Sequence, residues 1–302
     1  MARRSMGVAQ LVRCVLSRNN LTLAGLCVAL CLALGTGTFL RMPVNLAPLK
    51  DVSHSLLASD GTVLEMRLNS RGYWREPVAL EDIDPRLVRM LVAYEDKRFY
   101  RHGGVDLLAL GRAFRDAVAS GRITSGASTL TMQLARLLHP ELNTRSISGK
   151  LQQMLLAWRL DHQLSKSQVL EAYFTLAPYG GNLEGVVAAS RAWFGKTPSR
   201  LTLSEIGLLV ALPQAPETRR PDRYPMRAFR AKNRVLSLVA GRIELGLEKL
   251  AELQGEIIAR HLSRPVSTAP HLFDRLHVAQ SYRAVLSTID ADMQAQAAAM
   301  LS

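Results

Sequence analysis

From Asp84 onward the apolar residues recur at helical spacing rather than in alternation. Val88, Leu91, Val92 and Glu95 fall at i, i+3, i+4 and i+7, on one face of a helix that Asp84 caps and Pro85 opens. Two capping boxes, Ser165-Lys-Ser-Gln168 and Thr202-Leu-Ser-Glu205, start further helices. Those helices are expected to stop near Pro178 and Pro213, where a ring without an N–H cannot continue them. Arg242 to Leu262 reads as one more amphipathic helix. Ahead of this region, Ser55 to Leu68 reads as two short strands turning at Asp60-Gly61. Glycines gather in connecting loops (Gly103-Gly104, Gly121, Gly126, Gly180-Gly181, Gly195), and no repeat or low-complexity segment interrupts the pattern. The fold class predicted is mainly α with a short β-hairpin near its start.

The N-terminus carries a different pattern. Leu21 to Leu40 is an uncharged run of 20 residues, and as a helix it would span about 30 Å, the thickness of a bilayer core. Arg3, Arg4, Arg13 and Arg18 precede it with no acidic residue, so the positive-inside rule puts the N-terminus in the cytoplasm and everything after Leu40 outside. The competing reading is a cleaved signal peptide, against which stand the length of the run and the lack of a small-x-small exit site. A lipoprotein reading of Cys27 or Cys31 is weaker, because Leu26 and Leu30 stand where a small residue is expected. All three cysteines (Cys14, Cys27, Cys31) lie in this region. The exported part therefore needs neither disulfides nor thiol chemistry, which excludes cysteine proteases and Cys-ligated zinc.

Of the 302 residues 48% are hydrophobic and 21% charged, an ordinary globular balance for one large domain or two smaller ones. The formal charge of +13 points to anionic partners. The basic residues are scattered, and no helix-turn-helix, zinc or RNA-binding signature accompanies them, so nucleic acid is not the expected partner. A lipid-borne phosphate or an anionic membrane surface fits the charge equally well.

Two clusters could carry chemistry. Glu95 extends an apolar stripe, where desolvation would raise its pKa and suit it to proton transfer. A solvated glutamate at a helix end is the alternative that spacing leaves open. It leads into Asp96, Phe99, His102, Gly103 and Asp106, a dense polar set in which His102 could equally be a structural hydrogen-bonder. The second cluster is Gly126-Ala-Ser-Thr-Leu-Thr-Met-Gln133. Its hydroxyls enter an apolar helix, as a phosphate pocket at a helix N-terminus or as an ordinary Ser/Thr cap.

Taken together the clusters carry a resemblance. Glu95 to Asp106 (EDKRFYRHGGVD) matches all six fixed positions of E-D-x-x-F-x-x-H-x-G-x-D, the first motif of glycosyltransferase family 51. Gly126 to Gln133 resembles the second, G-x-S-T-x-T-Q-Q, with Met132 in place of the first glutamine. Lys166 to Gly185 resembles the helix-and-loop motif containing I-L-E-x-Y-L-N, in which Glu171 and Tyr173 match and Thr175 replaces asparagine. Ala211-Leu-Pro-Gln-Ala-Pro216, Arg220-Pro221 and Asn233-Arg234-Val-Leu236 resemble the closing motif. The match runs from about Ser55 to Ala240, in order and at the family's spacing, which makes it far more specific than one fingerprint. One departure stands out. Where the family has R-K-x-x-E, this chain has Gly149-Lys-Leu-Gln-Gln153, keeping Lys150 and losing both the arginine and the glutamate. With Met132 and the Ala177-to-Gly181 loop, the pattern resembles the 1C subgroup of class A penicillin-binding proteins.

The resemblance implies a lysozyme-like helical fold and a peptidoglycan glycosyltransferase that polymerises lipid II into glycan strands and releases undecaprenyl pyrophosphate. It implies Glu95 as catalytic base, with Lys150, Ser128 and Thr129 holding the diphosphate and Asp96, His102, Gln133, Gln153 and Glu171 in supporting substrate contacts. No cofactor is required; a divalent cation such as magnesium with the pyrophosphate is the one candidate. The partners implied are lipid II, the growing strand and the membrane, with cell-wall assembly partners that the sequence does not name. The organisation expected is a cytoplasmic tail (1–20), a transmembrane helix (21–40), the glycosyltransferase domain (55–240), and a C-terminal helix with the start of a linker (241–302). No serine is followed three residues later by lysine, and Val285 to Gln294 resembles the junction to a transpeptidase domain, so the chain reads as the front part of a bifunctional enzyme or as a short form. A lysozyme-like hydrolase or lytic transglycosylase and a catalytically weak assembly scaffold are the rival readings.

Overall fold

The computed structural model describes residues 37–120, 128–142, 146–258, 267–276 and 284–301. The chain forms two compact units, Met1–Val44 and Asn45–Ser302. Of the first only its last residues are described, with a helical turn in which the Met42 N–H returns to the Thr38 carbonyl at 3.2 Å. Most of the expected transmembrane run, residues 21–36, and the tail before it lie outside the described residues. Among the described residues no helix is long and apolar enough to cross a membrane.

The second unit is mainly helical, as its spacing predicts. Helix α1 (Pro85–Glu95) is capped by Asp84, whose carboxylate accepts the Arg86 N–H. It is followed by α2 (Leu107–Ser120), α3 (Leu130–Leu138), α4 (Ile147–Gln163) and α5 (Lys166–Leu176), and α5 carries the complete Ser165–Gln168 capping box. Helices α6 (Val186–Phe194) and α7 (Leu203–Ala211) come next, and α7 carries the second box, Thr202–Glu205. The helices α5 and α7 end two residues short of Pro178 and Pro213. Ser204 to Ala211 are all buried, so α7 is the spine of the core. It packs against α1, α6 and two later helices, α8 (Pro225–Val239) and α9 (Leu247–Gly255), while α3 packs against α4 and α5.

One expected helix is shorter than its pattern suggested. Among the described residues of the stretch Arg242 to Leu262 the one α-helix is α9, because Glu244 takes a left-handed backbone (φ 55°) and Gly246 is the cap from which α9 starts. Amphipathic spacing alone does not register such a break.

The hairpin forms as expected from β1 (His54–Leu57) and β2 (Val63–Arg67), antiparallel. Its turn is fixed by Asp60, which accepts the Thr62 N–H at 2.9 Å, and by Gly61 at φ 85°. A two-residue pair, β3 (Trp74–Arg75) with β4 (Leu183–Glu184), is parallel and buries Arg75 against Glu184. The C-terminal residues, for which a helix and the start of a linker are expected, also complete the hairpin layer. After α10 (Pro270–Arg275), strand β5 (Ala284–Leu286) runs parallel beside β1, and α11 (Ala291–Leu301) follows. Leu56, Ala58 and Leu64 of the hairpin share a small core with Ala269 and Phe273. An isolated two-stranded hairpin is marginal in water, so a third strand and a covering helix stabilise it.

Candidate active site

The C-terminal end of α1, the start of α3, the beginning of α2 and the turn after α7 surround a groove of about 460 Å³. Glu95, Asp96, Ser128, Thr129, Gln133 and Gln214 line it, with Lys97, Arg98 and Arg112 adding positive charge.

Glu95 is partly buried and held on both oxygens. Gln133 donates its amide N–H to Oε2 at 2.9 Å, and Gln214 donates to Oε1 at 2.8 Å. Burial raises its pKa above the usual carboxylate range, against the opposing pull of the two amides and of Arg219. The solvated-glutamate alternative is thereby set aside. Asp96, its neighbour in the chain, has a different task. It is 6% exposed and accepts the His102 Nε2 at 2.9 Å and the Leu130 N–H at 3.0 Å, which ties the loop after α1 to the first turn of α3. His102 is thus a structural partner, and its own carbonyl accepts Lys166 Nζ at 2.7 Å. Asp106 caps α2 through the Ala109 N–H and pairs with Arg98; burial alone would raise its pKa, but these partners hold it below the ordinary range.

Thr129 behaves as the cap that its position allowed. Its hydroxyl accepts the Met132 N–H at 3.1 Å and donates to the Gly104 carbonyl at 2.5 Å, so it is already engaged on both sides and is not free to donate to a diphosphate. Gly104 in turn sits at φ 79° so close to α4 that an added Cβ would lie 2.3 Å from the Ala157 carbonyl oxygen, a position only glycine tolerates. Ser128 remains open to the groove and accepts Lys150 Nζ at 2.8 Å. Lys150 reaches Ser128 from α4 and also donates to Gln153 Oε1 at 2.8 Å. Burial and the nearby Arg136 lower its pKa.

Gln153 and Glu171 depart from the substrate contacts expected of them. Gln153 is 2% exposed and donates to the Met132 carbonyl at 2.6 Å, so it locks α4 onto α3 and orients Lys150 from behind. Glu171 does not line the groove; it accepts the Leu80 N–H at 3.2 Å at the start of a short 3-10 turn, Leu80–Asp82. Spacing on α5 could not reveal this, because the partner turn lies 91 residues earlier. Sequence reasoning in turn passed over Gln214, Arg219 and Arg136. Gln214 lies inside the closing motif Ala211 to Pro216, the one signal for it in the sequence. Gly126 of the second motif lies outside the described residues.

Among the described residues no group of three His, Cys, Asp or Glu side chains could hold a metal ion. The donors around Lys150 are one hydroxyl and one amide beside an ammonium, a set ill suited to a dication.

The Transglycosylase family model matches residues 60–240. The chain is 40% identical over 250 residues to penicillin-binding protein 1C of Escherichia coli (strain K12), covering 82% of this chain and 32% of that protein. To penicillin-binding protein 1A of the same strain it is 34% identical over 258 residues, covering 80% of this chain and 30% of the other. The crystal structure of penicillin-binding protein 1A from Haemophilus influenzae overlaps 82% of this chain and 28% of its own, at 19% identity and a TM-score of 0.39, too loose a likeness to carry an argument. The chain spans about a third of the length of the relatives it matches. With a family model covering most of the helical unit and a relative at 40% identity, the chain belongs to the transglycosylase family.

Proposed function

We propose that this chain is a peptidoglycan glycosyltransferase that polymerises lipid II. The observation that carries the reading is Glu95, a carboxylate raised by burial and aimed by two amides into a groove with a basic wall. The oxygen of the acceptor's 4-hydroxyl attacks C1 of the donor sugar from the face opposite the diphosphate. Its proton passes to Glu95, the C1–O bond breaks, and the electron pair leaves with undecaprenyl pyrophosphate. A base with a raised pKa suits a proton taken near neutral pH. Lys150 has three N–H donors, of which Ser128 and Gln153 take two. The third is left for the charge that develops on the leaving diphosphate.

The lipid-borne substrate calls for a membrane surface, and α4 offers one. Gly149, Gln153, Ala157 and Leu160 face inward, while Ile147, Leu151, Leu155 and Trp158 form an outward stripe, 45% exposed or more. The stripe recurs at i, i+4, i+8 and i+11, so it lies along one side of the helix, with Gln152 and His162 exposed beside it. The stripe supports contact with the outer leaflet of the cytoplasmic membrane, with the N-terminal run of residues 21–40 as anchor and the catalytic groove outside.

The test is polymerisation of purified lipid II, followed across pH. The expected profile is a bell. It falls on the acid side as Glu95 gains its proton, above the ordinary carboxylate range, and on the alkaline side as Lys150 loses its proton, below the ordinary ammonium range. Cleavage of finished glycan without polymerisation would identify a lytic enzyme instead. Binding without turnover would identify a scaffold.

A further inference from the structure

The closing motif contributes one of the two amides on Glu95, and that amide is itself held from behind. Gln214 lies in the 3-10 turn Leu212–Gln214 that follows α7, and it meets Glu95 across 119 residues of sequence. Its amide has two ends, and its surroundings decide which faces the carboxylate. Arg219 NH1 donates to Gln214 Oε1 at 3.2 Å, and the Tyr94 hydroxyl donates to the same oxygen at 3.3 Å. A guanidinium has no acceptor. The oxygen must therefore face Arg219, which leaves the NH2 to face Glu95. Arg219 is itself fixed, because the same NH1 donates to the Ala211 carbonyl at the end of α7, at 2.6 Å. The chain of contacts runs from the spine helix through Arg219 and Gln214 to the carboxylate.

We propose that Gln214, oriented by Arg219, is a positioning residue that keeps Glu95 ionised and aimed at the groove. It rests on the reading of Glu95 as the base. Gln133 holds Oε2 from α3, so each oxygen has one neutral donor and neither is neutralised by an ion pair. The other charged or titratable groups around the carboxyl are Asp96 beside it, Tyr173 of α5, whose phenol feels its charge, and Lys97, Arg98 and Arg112 along the groove. None of these donates a hydrogen bond to Glu95, so the arm from Arg219 is the one that the closing motif supplies.

The experiment pairs two variants with two readouts on the full chain in detergent. Gln214→Leu removes the donor at similar volume, and Arg219→Gln removes the charge that orients it. Glu95 is followed by its carboxyl carbon resonance during a pH titration, assigned by its loss in Glu95→Gln, and separately by the acid limb of lipid II polymerisation. Both variants should raise the Glu95 pKa and move the acid limb to higher pH by about one unit, the size expected when one hydrogen bond to a charged group is lost. A residue that merely packs would lower the rate at every pH and leave both midpoints in place. An unchanged carboxyl titration in both variants overturns the proposal. If Gln214→Leu does not fold, Gln214→Met takes its place, because Arg219→Gln alone also removes the direct pull of Arg219 on Glu95. A chain that polymerises nothing at any pH refutes the functional reading, while the carboxyl titration still decides the role of Gln214.

Discussion

The carboxylate that closes α1 and the ammonium near the start of α4 are treated alike, and both differ from the acid that caps α2. Glu95 accepts from two side-chain amides, and Lys150 donates to a hydroxyl and a side-chain amide. Burial pushes each toward its neutral form, Glu95 upward and Lys150 downward. Asp106 is also buried, yet Arg98 and the Ala109 N–H hold its pKa down. The difference lies in the partners. A neutral dipole orients a charge without cancelling it, so the group stays available to a substrate. A guanidinium fork satisfies a carboxylate and fixes it as structure.

If that contrast is sound, removing each charge should have a different signature. The largest effect belongs to Glu95→Gln, whose amide cannot accept the acceptor's proton. Polymerisation should fall by roughly a hundredfold or more, measured as glycan formed from lipid II, while circular dichroism shows an intact fold. Lys150→Met should come next, with a loss on the order of tenfold to a hundredfold. Its pH profile should lose the alkaline limb and keep the acid one. A variant that lost the acid limb instead would reverse the roles assigned to the two groups.

Asp106→Asn should register in stability more than in rate. Asparagine caps about as well as aspartate, so the loss expected, on the order of 1 kcal/mol, is that of the charged pair with Arg98, to be read from urea midpoints at several pH values. The sign follows from the pKa held below its ordinary value. Above the unfolded carboxyl's pKa the ionised cap contributes its full stability. That contribution is lost as pH falls through the lower, folded value. The gap between natural protein and variant should therefore be widest at neutral pH and narrow in acid.

Legibility followed sequence distance. The candidate base could be found because Glu95 continues the stripe of its own helix and opens a dense motif. Ser128, Gln133 and Lys150 came from short motifs as well, and the structure brings Ser128 and Gln133 into the groove and Lys150 to Ser128. Thr129 was ambiguous between cap and ligand, since a hydroxyl at a helix start can do either; its bond to the Gly104 carbonyl decides for the cap. Gln153 and Glu171 were carried over from motifs whose residue types suggested substrate contacts. Their partners, the Met132 carbonyl and the Leu80 N–H, are backbone atoms that no spacing rule predicts. The break at Glu244 is not legible in the sequence, because period alone is blind to one residue in a left-handed conformation.

By itself the sequence determined the helical class, the capped starts of α1, α5 and α7, the hairpin turn and the identity of the charged groups. These depend on residues within a few positions of each other, where propensity, capping and side-chain period act directly. Tertiary structure decided what each charge is worth. It set Gln214 and Arg219 against Glu95, placed Gln153 behind Lys150 and brought β5 beside β1. A pKa depends on every dipole within a few ångströms and on the water excluded from around it. Those neighbours are gathered by packing from four or more parts of the chain, so they exist only once it has folded.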